Sequence, residues 1–437
     1  MKINKNKIKM GLKRWIVLSI IGIFLLSLGL SSIYNRIGLN MDKSYTYIII
    51  SSIGIVFLII SVKNGLSTIL GVVNKHKYEV DLSKNSVAYM INKEKILDKG
   101  PKIVVLGGGT GLSVLLRGLK NYTANITAVV TVADDGGGSG ILREDLGMLP
   151  PGDIRNCILA LADTEPTMEK LIQYRFTEGN LKGQNFGNLF IAAMNGIYGN
   201  FEMAVKEMSN VLAVSGEVLP MTLQDTTLYA KLENGKVIKG ESNITVTNEK
   251  IKSRIEKVFL KPQKLKPLNE TINKIREADI ILLGPGSLYT SVIPNLLVEN
   301  ITKELEKSKA TKIYINNVMT QPGETDGYSV KDHVEAIIKH SSEKIIDYVI
   351  TNNESLPKNI LKRYSLDGAS PVLLNSDDKE YLKEKDINII EDKLIDIKKD
   401  YIRHDAEKLT EIISNLYQGS RMSKLNFLNF KKDISKS

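Results

Sequence analysis

The sequence predicts an α/β fold built on a parallel sheet, preceded by a helical membrane hairpin. Three observations carry this. Lys102–Leu106 is a short apolar run with β-branched Ile103, Val104 and Val105, followed at once by Gly107, Gly108, Gly109 and Gly111. Ile280–Leu283 repeats the pattern and ends in Gly284-Pro285-Gly286-Ser287. Near the start of the chain, Trp15–Ile33 and Tyr45–Val62 are almost uncharged apolar runs. A buried strand, a glycine turn and then helical spacing (Leu112, Leu115, Leu116, Leu119) open a nucleotide-binding α/β unit, because glycines admit a phosphate close to the backbone and the helix start offers free N–H groups. The third glycine of a dinucleotide fingerprint is missing, and no Gly-Lys-Ser/Thr follows. The same residues also suit a tight strand-to-helix turn with no ligand.

The ends of the chain hold much of its charge. The 437 residues carry a formal net charge of +10. Lys2, Lys5, Lys7, Lys9, Lys13 and Arg14 open the chain, and Lys424, Lys431, Lys432 and Lys436 close it. No basic stripe interleaved with aromatics crosses the middle, which argues against nucleic acid as partner. Basic ends beside an apolar span suit anionic lipid instead. Cys157 is the single cysteine, so no internal disulfide forms. The histidines (His76, His333, His340, His404) are scattered with no zinc spacing.

The elements follow in order. Residues 1–14 form a basic tail and 15–62 a transmembrane hairpin of two helices. The loop between the runs holds only Arg36 and Lys43 as basic residues, so the positive-inside rule puts both ends, and everything after residue 63, in the cytoplasm: a multi-pass protein of the cell membrane. Residues 63–98 are read as a juxtamembrane connector, 99–418 as the nucleotide-binding domain and 419–437 as a second basic tail.

Within the domain, Ile126–Thr131 is a second buried strand, ending in Asp134-Asp135 and a glycine run. Carboxylates beyond a strand end hold ribose hydroxyls, coordinate Mg²⁺ or act as a base, or else cap a mobile loop. Pro150-Pro151-Gly152-Asp153 turns into a helix with Asp153 as cap, and Arg155 and Asn156 can face an anion. Gly187 and Asn188 open another helix. Val211–Leu219 reads as a strand. Thr227–Leu232 and Lys236–Lys239 flank Asn234-Gly235, a hairpin signal, and predict an antiparallel insertion at one edge of the sheet. After the second glycine turn, Ser287, Tyr289, Thr290 and Ser291 supply hydroxyls. Ile313–Asn316 is a strand leading into the polar loop Asn317–Gly327. Tyr348–Thr351 is a further strand, and Arg403-His404-Asp405 precedes a final amphipathic helix.

Taken together, VLGGGTGLSVLLRGLK, TVADDGGGSG, LPPGDIRN, GNLF, GPGSLYTSVIPNLL, NVMTQPGETDGY and RHD resemble the YvcK family of gluconeogenesis factors, within the CofD-like superfamily named for 2-phospho-L-lactate transferase. The resemblance spans residues 100 to 418. It implies a Rossmann-like domain, a UDP-sugar ligand such as UDP-N-acetylglucosamine, and a role in cell shape and envelope precursor supply, with envelope-synthesis proteins as partners. A homodimer is compatible with it. The implied ligand set is Gly108, Gly109, Thr110, Gly111, Asp134, Asp135, Asp153, Arg155, Asn156, Asn188, Gly284, Gly286, Ser287, Tyr289 and Arg403, with the Arg403 guanidinium matched to the diphosphate. The alternative is a CofD-type transferase in which Asp134 and Asp135 hold Mg²⁺ or take the proton. Four positions depart from the family pattern: Gly138 for serine, Gln184 and Asn185 for His-Ser, and Ala406 for a threonine found in some relatives.

Overall fold

A computed structural model describes residues 5–34, 44–74, 96–398 and 401–419. The basic tails beyond these limits, the loop containing Arg36, and the connector containing His76 lie outside the described residues. The chain divides into two compact units, Met1–Met90 and Ile91–Ser437.

In the first unit the helices Lys5–Tyr34 and Ser44–Asn74 run antiparallel and close together. Small residues permit this. A Cβ added at Gly22 would stand 3.0 Å from the Gly54 carbonyl oxygen, and one at Gly54 would stand 2.8 Å from that of Gly22. Ser61 donates to the Trp15 carbonyl at 2.5 Å. Close backbone approach through glycine and serine is how apolar helices pair when no hydrophobic drive separates them from lipid. One helix, Tyr45–Asn64, is long and apolar enough to cross a membrane; the apolar stretch of the first, Arg14–Leu30, is shorter. Of the two spans read from the sequence, one helix among the described residues has the length to cross. The second helix also continues to Asn74, into what reads as connector.

In the second unit seven strands form a wholly parallel sheet: β1 (Ile103–Gly107), β2 (Ile126–Val130), β3 (Glu217–Pro220), β7 (Ile280–Leu283), β8 (Thr311–Ile315), β9 (Tyr348–Asn352) and β10 (Asn388–Asp392), in the order β10-β9-β8-β7-β1-β2-β3. Alternate residues point to opposite faces, and both faces are covered. Val104, Leu106, Val129, Ile281, Leu283 and Tyr314 enter one core; Ile103, Val105, Ile126, Ala128, Ile280 and Leu282 enter the other. That is why these strands read as continuous apolar runs rather than alternating ones.

The predicted hairpin is present as β4 (Thr227–Leu232) and β5 (Val237–Lys239), joined by β6 (Ile255–Lys261) into a separate antiparallel sheet. It does not extend the edge of the large sheet. Leu228, Ala230, Leu232, Val258 and Leu260 share the core that holds Leu283 and Tyr289, so the insertion covers one face. The strand expected over Val211–Leu219 is shorter: helix Phe201–Val211 runs through its first residue, and Ala213 takes a positive φ before β3 begins. A small pair, β11 (Ile395–Lys398) and β12 (Tyr401–His404), precedes a helix over residues 406–419.

Candidate functional site

Because β1 lies between β7 and β2, the two glycine turns meet at the C-terminal ends of the strands, the usual place for a ligand in such sheets. A Cβ at Gly111 would stand 2.9 Å from the Pro285 carbonyl oxygen, and one at Gly286 would stand 3.2 Å from that of Gly108. Gly109 takes φ +69°, which favours glycine.

Asp153 does not cap its own helix, as its position after Pro151 suggests. Pro151 is the N-cap residue of Gly152–Leu161, and Asp153 turns outward to accept the Gly109 N–H at 2.6 Å. Its Oδ2 would lie 2.7 Å from a Cβ at Gly108. Burial, then the nearby Asp134, push its carboxyl up to about 6, against the Gly109 hydrogen bond and Arg155.

The Asp134–Asp135 pair is divided. Asp134 accepts the Gly136 N–H at 2.9 Å and is raised above the usual carboxylate range by burial. Asp135 turns to the helix Glu241–Ile251, where its Oδ1 accepts both the N–H (2.9 Å) and the hydroxyl (2.7 Å) of Ser242. Among the described residues no group of three or more His, Cys, Asp or Glu has the arrangement of a metal centre.

Two acidic residues join this wall without having stood out in the sequence. Glu241 opens its helix beside Asp134 and Asp153; burial and then the charges of Asp134, Glu324, Asp153 and Asp135 raise it to about 8. Glu324 is 2% exposed. Its Oε1 accepts from Thr245 (3.1 Å), Thr290 (3.2 Å) and Gln321 (2.7 Å), and burial raises it to about 7. The polar loop flagged Glu324 only collectively, and nothing local marked Glu241.

The cleft beside these residues holds more basic than acidic side chains, although Asp396, Asp405 and Glu407 also line it and Lys398 pairs with Asp396 at 2.6 Å. It has a volume of about 870 Å³ and is lined by Thr110, Arg117, Arg155, Arg175, Lys398 and Arg403, with Asn156 among its other residues. A neighbouring cleft of about 330 Å³ shares Thr110 and Arg403 and adds Gly111, Gly286, Tyr364, Tyr401 and His404. Arg155 is held rigidly: Nη1 donates to Asn188 Oδ1 at 2.9 Å and Nη2 to Asn156 Oδ1 at 2.7 Å. Burial, then Arg175, lower its pKa. Arg403 sits exposed on β12, opposite Asp396. A further cleft of about 540 Å³, lined by Lys102, Lys206, Glu217 and Lys274, opens near the start of β1 and holds none of the sequence-singled residues.

Thus Thr110, Gly111, Arg155, Asn156, Gly286 and Arg403 line the clefts. Gly108, Gly109, Asp134 and Asp153 lie beside them, and Asn188 acts through Arg155. Ser287 donates to Gln321 at 2.6 Å, beyond Gly284 with its φ of +79°. Tyr289 does not reach the clefts. It lies in the inward-facing turn Leu288–Val292, 2% exposed, with its hydroxyl 2.8 Å from that of Tyr328. Of the departures, Gln184 Oε1 would lie 3.0 Å from a Cβ at Gly138, so those two positions face each other. Asn185 caps helix Phe186–Tyr198 through the Asn188 N–H at 3.2 Å. The Ala406 carbonyl approaches Gly118 so closely that a Cβ there would stand 2.5 Å away.

A doubly covered parallel sheet with paired glycine turns at its strand ends defines an α/β protein of the Rossmann-like class. The chain belongs to the CofD family, whose description "2-phospho-L-lactate transferase CofD" matches residues 103–395. The "Gluconeogenesis factor" of Bacillus subtilis is 50% identical over 317 residues, covering 72% of this chain and 98% of its own length. A relative in Clostridium acetobutylicum is 51% identical over 403 residues, 92% of this chain and 89% of its own. A crystal structure of a Bacillus halodurans protein superposes with a TM-score of 0.68 at 46% identity, covering 71% of this chain and 98% of that one.

Proposed function

We propose that this gluconeogenesis-factor relative is a sugar-nucleotide-binding regulator tethered at the cytoplasmic face of the membrane, with UDP-N-acetylglucosamine as its ligand and a role in cell shape and envelope supply. One observation carries the reading: the basic cleft places Arg155 and Arg403 beside Thr110 at the start of helix Gly109–Leu119. Two guanidinium groups and a helix N-terminus suit a diphosphate, and the hydroxyl-accepting carboxylates across the site suit a sugar. The tether rests on helix Tyr45–Asn64, with Arg14–Leu30 as a second, tilted or shorter pass. In equilibrium dialysis of the full chain in detergent, Arg403→Ala is expected to weaken UDP-N-acetylglucosamine binding by about 10- to 100-fold while the thermal transition stays in place. Absence of binding by the wild type overturns the reading.

A second reading, a CofD-type transferase, is favoured by Asp134, Asp153 and Glu241 standing together with raised proton affinity, as a base or acid would. Conversion of a nucleoside diphosphate donor to product, lost in Asp134→Asn, separates it from the first.

A further inference from the structure

The two glycine turns look equally ready for phosphate, yet the first already holds an anion. The Gly109 N–H points at Asp153 Oδ2, 2.6 Å away. That oxygen also lies against Gly108, where a Cβ would come within 2.7 Å of it. The carboxylate therefore stands where a ligand phosphate stands in a helix N-terminal site. The remaining N–H groups of the first helical turn, those of Thr110 and Gly111, have no intrahelical partner by geometry, and both residues line the clefts.

We propose that Asp153 determines what the first glycine turn accepts: it fills the anion position beside Gly109, so that a ligand's phosphates seat outside the turn, on Thr110, Arg155 and Arg403. This rests on the sugar-nucleotide reading for the natural ligand, but the blocking contact itself does not. Asp153 is a positioning residue. A phosphate arriving next to it meets a carboxylate unless that carboxylate takes up a proton, so anion binding draws one in. The groups facing Asp153 set the balance. Burial and Asp134 favour the proton, and the Gly109 N–H and Arg155 oppose it; Glu241 still holds its own proton where Asp153 titrates, and Cys157 on the Asp153 helix is buried and neutral. Free Asp153 releases its proton near pH 6, so affinity for anions rises as pH falls from 8 toward 5.5 and levels off below.

The test titrates the full chain in detergent with inorganic pyrophosphate and, separately, with UDP-N-acetylglucosamine, at pH 5.5, 7 and 8. Wild type is expected to bind pyrophosphate at least ~10-fold more tightly at pH 5.5 than at pH 8. Asp153→Asn keeps an oxygen for the Gly109 N–H but no charge; it should bind at pH 8 as wild type does at pH 5.5, with its pH dependence reduced to about twofold. Titration of wild type at pH 7 with sulfate, which does not itself ionise between pH 5.5 and 8, in buffers of different ionisation enthalpy should show uptake of close to one proton, which needs no variant to fold. An unchanged pH slope in Asp153→Asn, no proton uptake by wild type, or no pyrophosphate binding by Asp153→Asn at any pH overturns the proposal. If pyrophosphate behaves as expected and UDP-N-acetylglucosamine does not bind, the sugar-nucleotide reading fails and the role of Asp153 stands.

Discussion

The acidic and basic walls of the site are made of residues of equal charge magnitude and differ in how they are held. Arg155 is fixed by two side-chain amides, Asn188 and Asn156, and stays charged despite its burial. Asp153 and Glu324 are fixed too, but burial moves them and Glu241 toward neutrality, to about 6, 7 and 8, with neighbouring carboxylates adding to the push on Asp153 and Glu241. A guanidinium cannot shed its proton at accessible pH, whereas a buried carboxylate relieves its strain by taking one. The basic wall is therefore a permanent anion trap. The acidic wall is an adjustable one that changes from repelling to hydrogen-bonding as it protonates.

The largest break in this comparison comes from Arg155→Met. It removes the hydrogen bonds to Asn188 and Asn156 and the cation that opposes protonation of Asp153. Stability is expected to fall by about 2 kcal/mol in denaturant titration, and sugar-nucleotide affinity by at least ~100-fold. Arg403, exposed on β12, should give the binding loss without the stability loss, which separates a structural cation from a ligand-facing one.

A smaller effect of opposite sign is expected from Glu241→Gln. The folded protein holds the Glu241 proton up to about pH 8, while the unfolded chain releases it near the ordinary value of 4.5. Native Glu241 thus costs stability progressively as pH rises from about 4.5 to about 8. The variant should match wild type below pH 4.5 and be more stable by on the order of 1–2 kcal/mol at pH 8.5, read from thermal transitions at both pH values. A variant equally stable at both would show that the acidic wall is open to water.

The smallest effect belongs to Gly138→Ser. The new Cβ meets the flexible end of Gln184, whose Oε1 is buried without a partner among the described residues and can accept the serine hydroxyl. A change within about 1 kcal/mol in thermal stability is expected; a larger loss would mean the loop cannot move.

Much of the sheet was legible because both of its faces are buried. The runs at Ile103, Ile126, Ile280, Ile313 and Tyr348 have no polar alternation to confuse them, and β-branched residues mark them as strands. The glycine turns were legible for the same local reason. What the sequence did not disclose depends on distant partners. The turn of Asp153 toward Gly109 requires β1 and the helix Gly152–Leu161 to be side by side, and Asp135 looks like the twin of Asp134 until Ser242 claims it. Glu241 follows a hairpin with no motif around it, and its place in the site follows from the insertion covering one face of the sheet. Tyr289 has the look of a ligand-facing hydroxyl beside a glycine turn, but its helical turn points inward. In the first unit the two apolar runs were legible as helices from their lack of charge, and among the described residues Tyr45–Asn64 has the length of a span.

The account stands most directly on where the diphosphate sits. A crystal structure of the full chain with UDP-N-acetylglucosamine is predicted to place its phosphate oxygens within hydrogen-bonding distance of the Arg155 and Arg403 guanidinium groups, with Asp153 still on Gly109 and the sugar toward Asp134 and Glu241. Phosphates lodged in the glycine turn with Asp153 displaced, or bound in the cleft around Lys206 and Lys274, would contradict it.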